Sequence, residues 1–446
     1  MRWMVILLMM ALSSAALAQT TQPATAPSTQ PSAERIDALL KQLADGDANS
    51  LGEVQRQLAA VGYDLLPRLE KLTSDSAPAA TRDRALAVER AILEAGLSQP
   101  TFVTMHYTKV PPQKVFDDLC KQAHTGFLVS PANLFDQAAG VTINVDRQPF
   151  WNVMFNLCNQ AGVSPQQMNQ DATVTLVRGG MGIPGMPVPQ IGARGVVCGP
   201  LFLNASHIML NSSIDLADPK KVQNSFTMNL LAYVEPKIRI FQNASNFKLE
   251  SAVDDRGNNL IGGEENQRMW GGGSGWVWNF SCMLRYPDHP GSKIASMKGS
   301  LTVLAQTHFE SVAFADIQNA KGASKSARGR KVILNSFSRV DNDQFTVSAS
   351  LLKDGYNNAD WERLVQQADS GVRLLDADGR SFARLNSGGG SATADRVTYT
   401  WTFRRLNFRG LQNDLTPGEP TRFVWDIPTD LKEITLPFEL KDVPMP

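Results

Sequence analysis

The chain has no excess of either charge: across 446 residues, 43 Lys and Arg balance 43 Asp and Glu. No global field therefore draws it to nucleic acid or to an anionic membrane surface, and a nucleic-acid partner is not expected. Its five histidines, His106, His124, His207, His289 and His308, stand in no metal-ligand or nucleophile spacing. The four cysteines form no C-x-x-C pair, so no zinc module is written into the sequence. Neither a phosphate-cradling P-loop nor a dinucleotide glycine fingerprint occurs. Ser274 lies in Gly271-Gly-Gly-Ser-Gly275, which is not the G-x-S-x-G of a nucleophile elbow. Beyond the N-terminus no run is long and apolar enough to span a bilayer as a helix. Together these absences lead us to expect a protein without enzymatic activity, cofactor or metal.

What is present begins with an address. Arg2 precedes an apolar core, Trp3 to Leu12, and small residues lead to Ala16-Leu17-Ala18, an A-x-A cleavage site. A signal peptide over 1–18 and a periplasmic or secreted mature chain are expected, with an uncleaved N-terminal anchor as the alternative. No cysteine follows the junction to carry a lipid. Residues 19–33, including the run TTQPATAPSTQPS, read as a disordered Pro/Thr/Ser tether. Export places the cysteines where disulfides persist, and four of them allow three pairings.

From 34 to 99 the apolar residues take helical spacing. Ile36, Leu39, Leu40 and Leu43 share one face, and Leu65, Leu66, Leu69 and Leu72 share another. Asp64 is the expected N-cap of the latter helix, with Pro67 tolerated in its first turn. Ala85, Val88 and Ile92 mark a last helix. The run Leu58-x-x-Val61-Gly62-x-x-Leu65-Leu66-Pro67-x-Leu69-x-x-Leu72, followed by Arg82-Asp83-Arg84-Ala85, resembles a HEAT-type repeat over about one repeat.

Residues 100–178 read as βαββαβ. Val103, Met105 and Tyr107 alternate as in a strand, and Val115, Phe116, Leu119 and Ala123 then face one side of a helix. Strands at 126–129 and 141–145 follow, then a helix with Val153, Leu157 and Ala161, and a strand at 173–177. The unit repeats itself: Pro111-x3-Val115-x3-Leu119-Cys120-x-Gln122-Ala123 returns 38 residues later as Pro149-x3-Val153-x3-Leu157-Cys158-x-Gln160-Ala161. With the strand before Pro111, the helix ending near Gly126 and the Val141–Val145 strand leading into Pro149, this stretch resembles the short N-terminal (STN) domain of secretins and TonB-dependent receptors. The resemblance implies a periplasmic protein-interaction module. No secretin core or outer-membrane barrel follows it here. The Gly/Pro/Met-rich stretch 179–195 reads as a linker.

The remainder lacks long helical periodicity and echoes itself at an offset of 122–123 residues. Asp254-x-x-Gly257 matches Asp376-x-x-Gly379, Trp276-x-Trp278-x-Phe280 matches Tyr399-x-Trp401-x-Phe403, and Glu310 matches Glu433. Alternate aromatics share one face of a strand, as a sandwich core requires. Two tandem immunoglobulin-like β-sandwiches are expected, 196–322 and 323–446. The fold class is thus multidomain, α+β and all-β. The closing run Thr435 to Pro444 resembles the C-termini of uncharacterised planctomycete-type exported proteins, a likeness that brings no activity with it.

The candidates for chemistry each have a plainer reading beside them. Cys120 and Cys158 sit at equivalent places in the two halves of the module, where helices packed side by side on one sheet face would let them form a disulfide. Two buried thiols at a helix–sheet contact are the alternative. Cys198 and Cys282 are a second candidate pair. Asp376-x-Asp378-Gly379 and Asp341-x-Asp343 look like pieces of a calcium loop but read first as hairpin turns. Trp276 and Trp278 read as core, which leaves Trp270 as the candidate exposed aromatic for a ligand such as a sugar ring. Lys321, Lys325, Arg328, Arg330 and Lys331 read as a solvated linker. The expectation is an envelope interaction or scaffolding protein with a protein partner, bound by strand addition at an open sheet edge. A glycan-binding wall protein is the alternative. Less favoured is a hydrolase using carboxylates such as Asp254 and Asp255.

Overall fold

The computed structural model describes residues 32–46, 50–73, 77–136, 138–167, 173–178, 192, 194–262, 269–327, 330–353, 361–362, 364–365, 368–369, 371–405 and 416–446. The side chains at 214–215, 218–224, 239, 241–246, 269–274, 307–308, 327, 330, 387–389 and 429–430 lie outside that description. So do residues 1–31, where a signal peptide and a tether are expected, and most of 179–195. The fold is predominantly β, built from several sheets. Among the described residues no helix is long and apolar enough to cross a membrane.

Four helices open the chain: α1 (Ala33–Asp45), α2 (Leu51–Val61), α3 (Leu66–Thr73) and α4 (Ala79–Ser98), with a 3-10 turn Gly62–Leu65 before α3. Ser32 starts α1 by accepting the Arg35 N–H on its hydroxyl, which satisfies one orphan donor of the first turn. Gly46, at φ 75°, ends it in the left-handed conformation. Leu39, Leu43, Leu58, Leu65, Leu69, Val88 and Ile92 close the helical core. Asp64 does not cap α3 as expected. It lies in the 3-10 turn, and Pro67 at the second helical position has no N–H for a cap to hold.

The next unit runs β1 (Phe102–Val110), α5 (Pro112–Gln122), β2 (Gly126–Ser130), β3 (Val141–Pro149), α6 (Phe150–Ala161), β4 (Val163–Gln166) and β5 (Thr173–Arg178). It differs from the expected single sheet in two ways. The short β4 is additional, and the strands divide into an antiparallel β1–β3 ribbon and a three-stranded sheet ordered β2-β5-β4. Helix α5 touches β1 and β2, and α6 touches β3 and β4, so the helices bridge the two sheets.

The internal repeat has a structural counterpart at each helix end. The Gln122 carboxamide accepts from Thr104 N–H at 3.0 Å and donates to Thr104 C=O at 3.1 Å. Gln160 does the same to Thr142, at 3.0 Å in both directions. Thr104 and Thr142 complete the pattern by accepting the backbone N–H of Arg147 and Lys109 on their hydroxyls. Each carboxamide stands where a neighbouring strand would, which blunts the edges of the ribbon.

The last 250 or so residues make three sheets. The first joins β6 (Gly195–Cys198), β7 (Leu201–Asp215), β8 (Asp218–Val234), β10 (Met269–Ser274) and β11 (Val277–Leu284) in the order β10-β11-β8-β7-β6. A second joins β13 (Ser324–Ala327), β14 (Arg330–Arg339), β15 (Gln344–Leu352), β17 (Ala383–Ala392) and β18 (Arg396–Arg404) in the corresponding order β17-β18-β15-β14-β13. Between them lies one four-stranded sheet, β16-β19-β12-β9, built from β9 (Arg239–Asp254), β12 (Lys293–Ala315), β16 (Val372–Leu375) and β19 (Arg422–Pro444).

That shared sheet revises the expectation of two sandwiches in tandem. Strands β12 and β19 pair antiparallel from Lys293↔Pro444 to Ala315↔Arg422, so each runs through both halves. Leu301, Val303 and Ala305 of β12 enter the first core, while Val312 and Phe314 enter the second. Phe423, Trp425 and Ile427 of β19 enter the second core, while Leu436, Phe438 and Leu440 return to the first. Bulges around His308 change the parity of the inward residues, so one strand serves two cores. Cutting the chain at 322/323 would leave each half without part of its own core. The Glu310/Glu433 echo does not survive either, since Glu310 is buried and Glu433 exposed.

Candidate functional site

The first core contains the α/β module and the first β half together. Their contact is aromatic. Trp151 stacks on Phe155 at 5.3 Å and meets Trp276 at 5.5 Å, while Phe155 lies 4.8 Å from Phe202 and 5.0 Å from Tyr233. Trp276 is not a strand residue, as its spacing suggested, but part of the two-residue turn between β10 and β11. There its indole donates to Thr173 C=O at 3.2 Å, and the backbone N–H groups of Trp276 and Val277 donate to the Gln167 side chain at 2.9 and 3.0 Å. Gly275 precedes it at φ 69°, and a Cβ there would stand 2.2 Å from Gln167 Nε2. Trp278, by contrast, is buried in the first core as expected, and its indole donates to Gly275 C=O.

A polar cluster ties the helical unit to the same junction. Glu235 and Lys237 follow β8; their side chains are 2% and 7% exposed and form an ion pair at 3.1 Å. Thr101, at the head of the module, donates its backbone N–H to Glu235 Oε1 at 2.6 Å and its hydroxyl to Oε2 at 2.5 Å. That hydroxyl also accepts from Lys237 Nζ. A buried ion pair is tolerated only when its remaining donors and acceptors are satisfied, and Thr101 supplies that. The Lys237 ammonium stands 4.3 Å from the Tyr63 ring centroid, and Tyr63 stacks on His124 at 5.5 Å. Burial first, and the Glu235 carboxylate second, push the Tyr63 phenol up from its ordinary value. Gly96 makes room for this ring, since a Cβ there would lie 2.4 Å from the Tyr63 hydroxyl. Five side chains from three units thus form one cluster, two of them the buried ion pair at its centre.

Asp254 and Asp376 prove to be turn residues, held alike. Asp254 accepts from Arg256 N–H, Asn258 N–H, the Asn258 amide and Gly291 N–H at 2.7 to 3.0 Å. Asp376 accepts from Arg380 N–H at 2.7 Å and Gly418 N–H at 2.8 Å. Burial opposes the charge on Asp254, but these donors prevail and hold its carboxyl down to about 2. Asp255 is likewise committed, to Ser292. Asp341 accepts the N–H groups of Asp343 and Gln344 at 2.8 and 2.7 Å, closing a hairpin turn. Among the described residues no group of three or more His, Cys, Asp or Glu is placed to hold a metal ion.

The remaining candidates fall as follows. All four cysteines are free and buried, and of the two readings weighed for Cys120 and Cys158 the structure has the two buried thiols in the module core. Burial pushes Cys120, Cys198 and Cys282 up to about 12 and Cys158 in the same direction, so none is a ready nucleophile. Trp270 belongs to β10, and its side chain lies outside the described residues. The basic stretch is not a linker. Residues 324–327 pair with 330–333, and Lys325 donates to Ala313 C=O at 2.6 Å and lies over Phe314.

Two features escaped the sequence reading. One is the Pro-Gly pair before each long strand, Pro290-Gly291 and Pro417-Gly418, whose glycine N–H completes the Asp turn. Its repetition was visible in the sequence. The other is the Glu235–Lys237 pair, for which Glu-x-Lys in a polar turn gave no signal. Comparison with known proteins returned no matching family model, no matching curated protein and no matching solved structure.

Proposed function

We propose that this is an exported, non-catalytic scaffolding protein of the cell envelope, whose STN-like module at 100–178 binds a protein partner by strand addition. The observation that carries this reading is strand β2. It is an outer strand of its sheet, pairing only with β5 among the described strands. Its sequence Gly126-Phe-Leu-Val-Ser130 has no lysine, no proline and no bulge to discourage pairing, and Leu128 is 41% exposed. The ribbon β1–β3 is blunted by Gln122 and Gln160, and β4 leads into Gln167 at the first β half. An extended peptide would find backbone hydrogen bonds along β2 and an apolar contact at Leu128.

The immunoglobulin-like halves serve on this reading as a stiff mount for the module, supported by the aromatic contact around Trp276. Deleting the module would strip that contact bare, so point changes test the idea better. Leu128→Lys and Val129→Pro in the full chain should abolish capture of an envelope partner by crosslinking while leaving the fold intact. Unchanged capture by both variants would refute the reading.

A further inference from the structure

We propose that His124 is a proton-operated latch between the helical unit and the rest of the molecule. The inference stands on the junction alone and needs no particular partner or compartment. His124 follows α5 in the left-handed conformation, φ 52°, with its N–H bonded to Lys121 C=O. Its side chain is 30% exposed and stacks on Tyr63 of the helical unit. The two charged groups that act on it, Asp64 and Lys237, belong to other elements. Asp64, beside Tyr63 in the 3-10 turn, stands 3.8 Å away and is largely exposed. Lys237, over the same Tyr63 ring, is buried and already committed to Glu235 and Thr101.

A neutral imidazole suits this place. Its stacking contact with Tyr63 disfavours the charged form by more than Asp64, 3.8 Å away, favours it, and Lys237 over the same ring adds a smaller opposition to a second cation. Burial lowers the His124 proton affinity most, Asp64 raises it in part, and Lys237 lowers it by less. The sign follows: with the folded value below the unfolded one, the contribution to docking is full above the unfolded value, about 6.5. It is lost as pH falls through the lower, folded value. The element released is α2 with its 3-10 turn. Helix α4 keeps a separate hold on the shared sheet through Glu94 and Lys432 at 2.7 Å. Opening is therefore local.

Hydrogen exchange of the intact protein between pH 8 and pH 5, corrected for intrinsic rates, tests this directly. Amides of 54–66 should lose more than about twofold protection on acidification, while 345–351 stay unchanged. His124→Asn, which tolerates the left-handed backbone, and His124→Phe, which keeps a stacking ring, cannot take up the proton. Either variant should hold 54–66 equally protected at both pH values. Acid release that survives in both variants, or wild-type protection at 54–66 that ignores pH, would overturn the latch. Four other histidines, at 106, 207, 289 and 308, remain in both variants and serve as the internal control.

Discussion

The two β halves share a strand order and an aspartate turn but direct the polar groups of their aromatics in opposite ways. In the first half Trp276, at the hairpin tip, sends its indole N–H outward to Thr173 of the α/β module. In the second half Tyr399, its counterpart in the sequence echo but placed within β18, donates to Val365, and the indoles of Trp401 and Trp425 donate to Asp369 and Ala368, all within the same half. One frame is open and completed by a neighbour; the other is closed by its own Val365, Ala368 and Asp369. Duplication fixes the scaffold, while single aromatic positions decide what it is joined to.

Removing those aromatics should give the largest effects and separate the halves. Trp276→Ala and Trp401→Ala should each cost about 3–5 kcal/mol, as large buried aromatics do. The first should expose 101–178 to proteolysis and spare 345–403; the second should do the reverse. A loss of protection distributed identically in the two variants would remove the distinction.

Next comes the junction. Lys237→Met leaves Glu235 buried without its cation and should cost about 3 kcal/mol in chemical denaturation. Adding Glu235→Gln should recover most of that, because the unpaired charge is gone. If the double variant is as unstable as the single, the pair itself rather than charge imbalance matters.

The aspartate turns should differ by degree. Asp254→Asn, with four donors around the carboxylate, should cost about 1–3 kcal/mol, and Asp376→Asn, with two named donors, less. Because Asp254 is held from 3.8 down to about 2, its contribution is complete above pH ~3.8 and fades as pH falls through about 2. Acid denaturation of wild type and Asp254→Asn should therefore converge near pH 2. The smallest effect belongs to Leu128→Lys, within about 0.5 kcal/mol by thermal unfolding, since the side chain is already substantially exposed.

Much of this architecture was legible in residues that repeat. The 38-residue echo in the module reappears as two matched glutamine clamps, and Asp254/Asp376 reappear as matched turns. Periodicity found the helical faces at Leu39, Leu43, Val88 and Ile92, because a buried stripe leaves a local trace. The shared sheet left no such trace. Strands β12 and β19 read as ordinary β sequence, and only long-range pairing shows that their ends serve different cores. The same limit hid the junction: Tyr63, Thr101, His124 and the Glu235–Lys237 pair are far apart in sequence, and nothing in their spacing joins them. Cys120 and Cys158 left two readings open in the sequence, since equivalent positions in a repeat need not be bonded, and the structure has them as free thiols.

The central claim is that the two β halves are one interlocked body through β12 and β19. Truncating the chain after Asp430 tests it, with hydrogen exchange read across residues 247–253 and 277–284. The shared sheet predicts that these strands of the first half lose protection, because Leu436, Phe438 and Leu440 no longer cover their core. Full protection there, with any loss confined to residues beyond 323, would mean two independent units in tandem and would contradict the account.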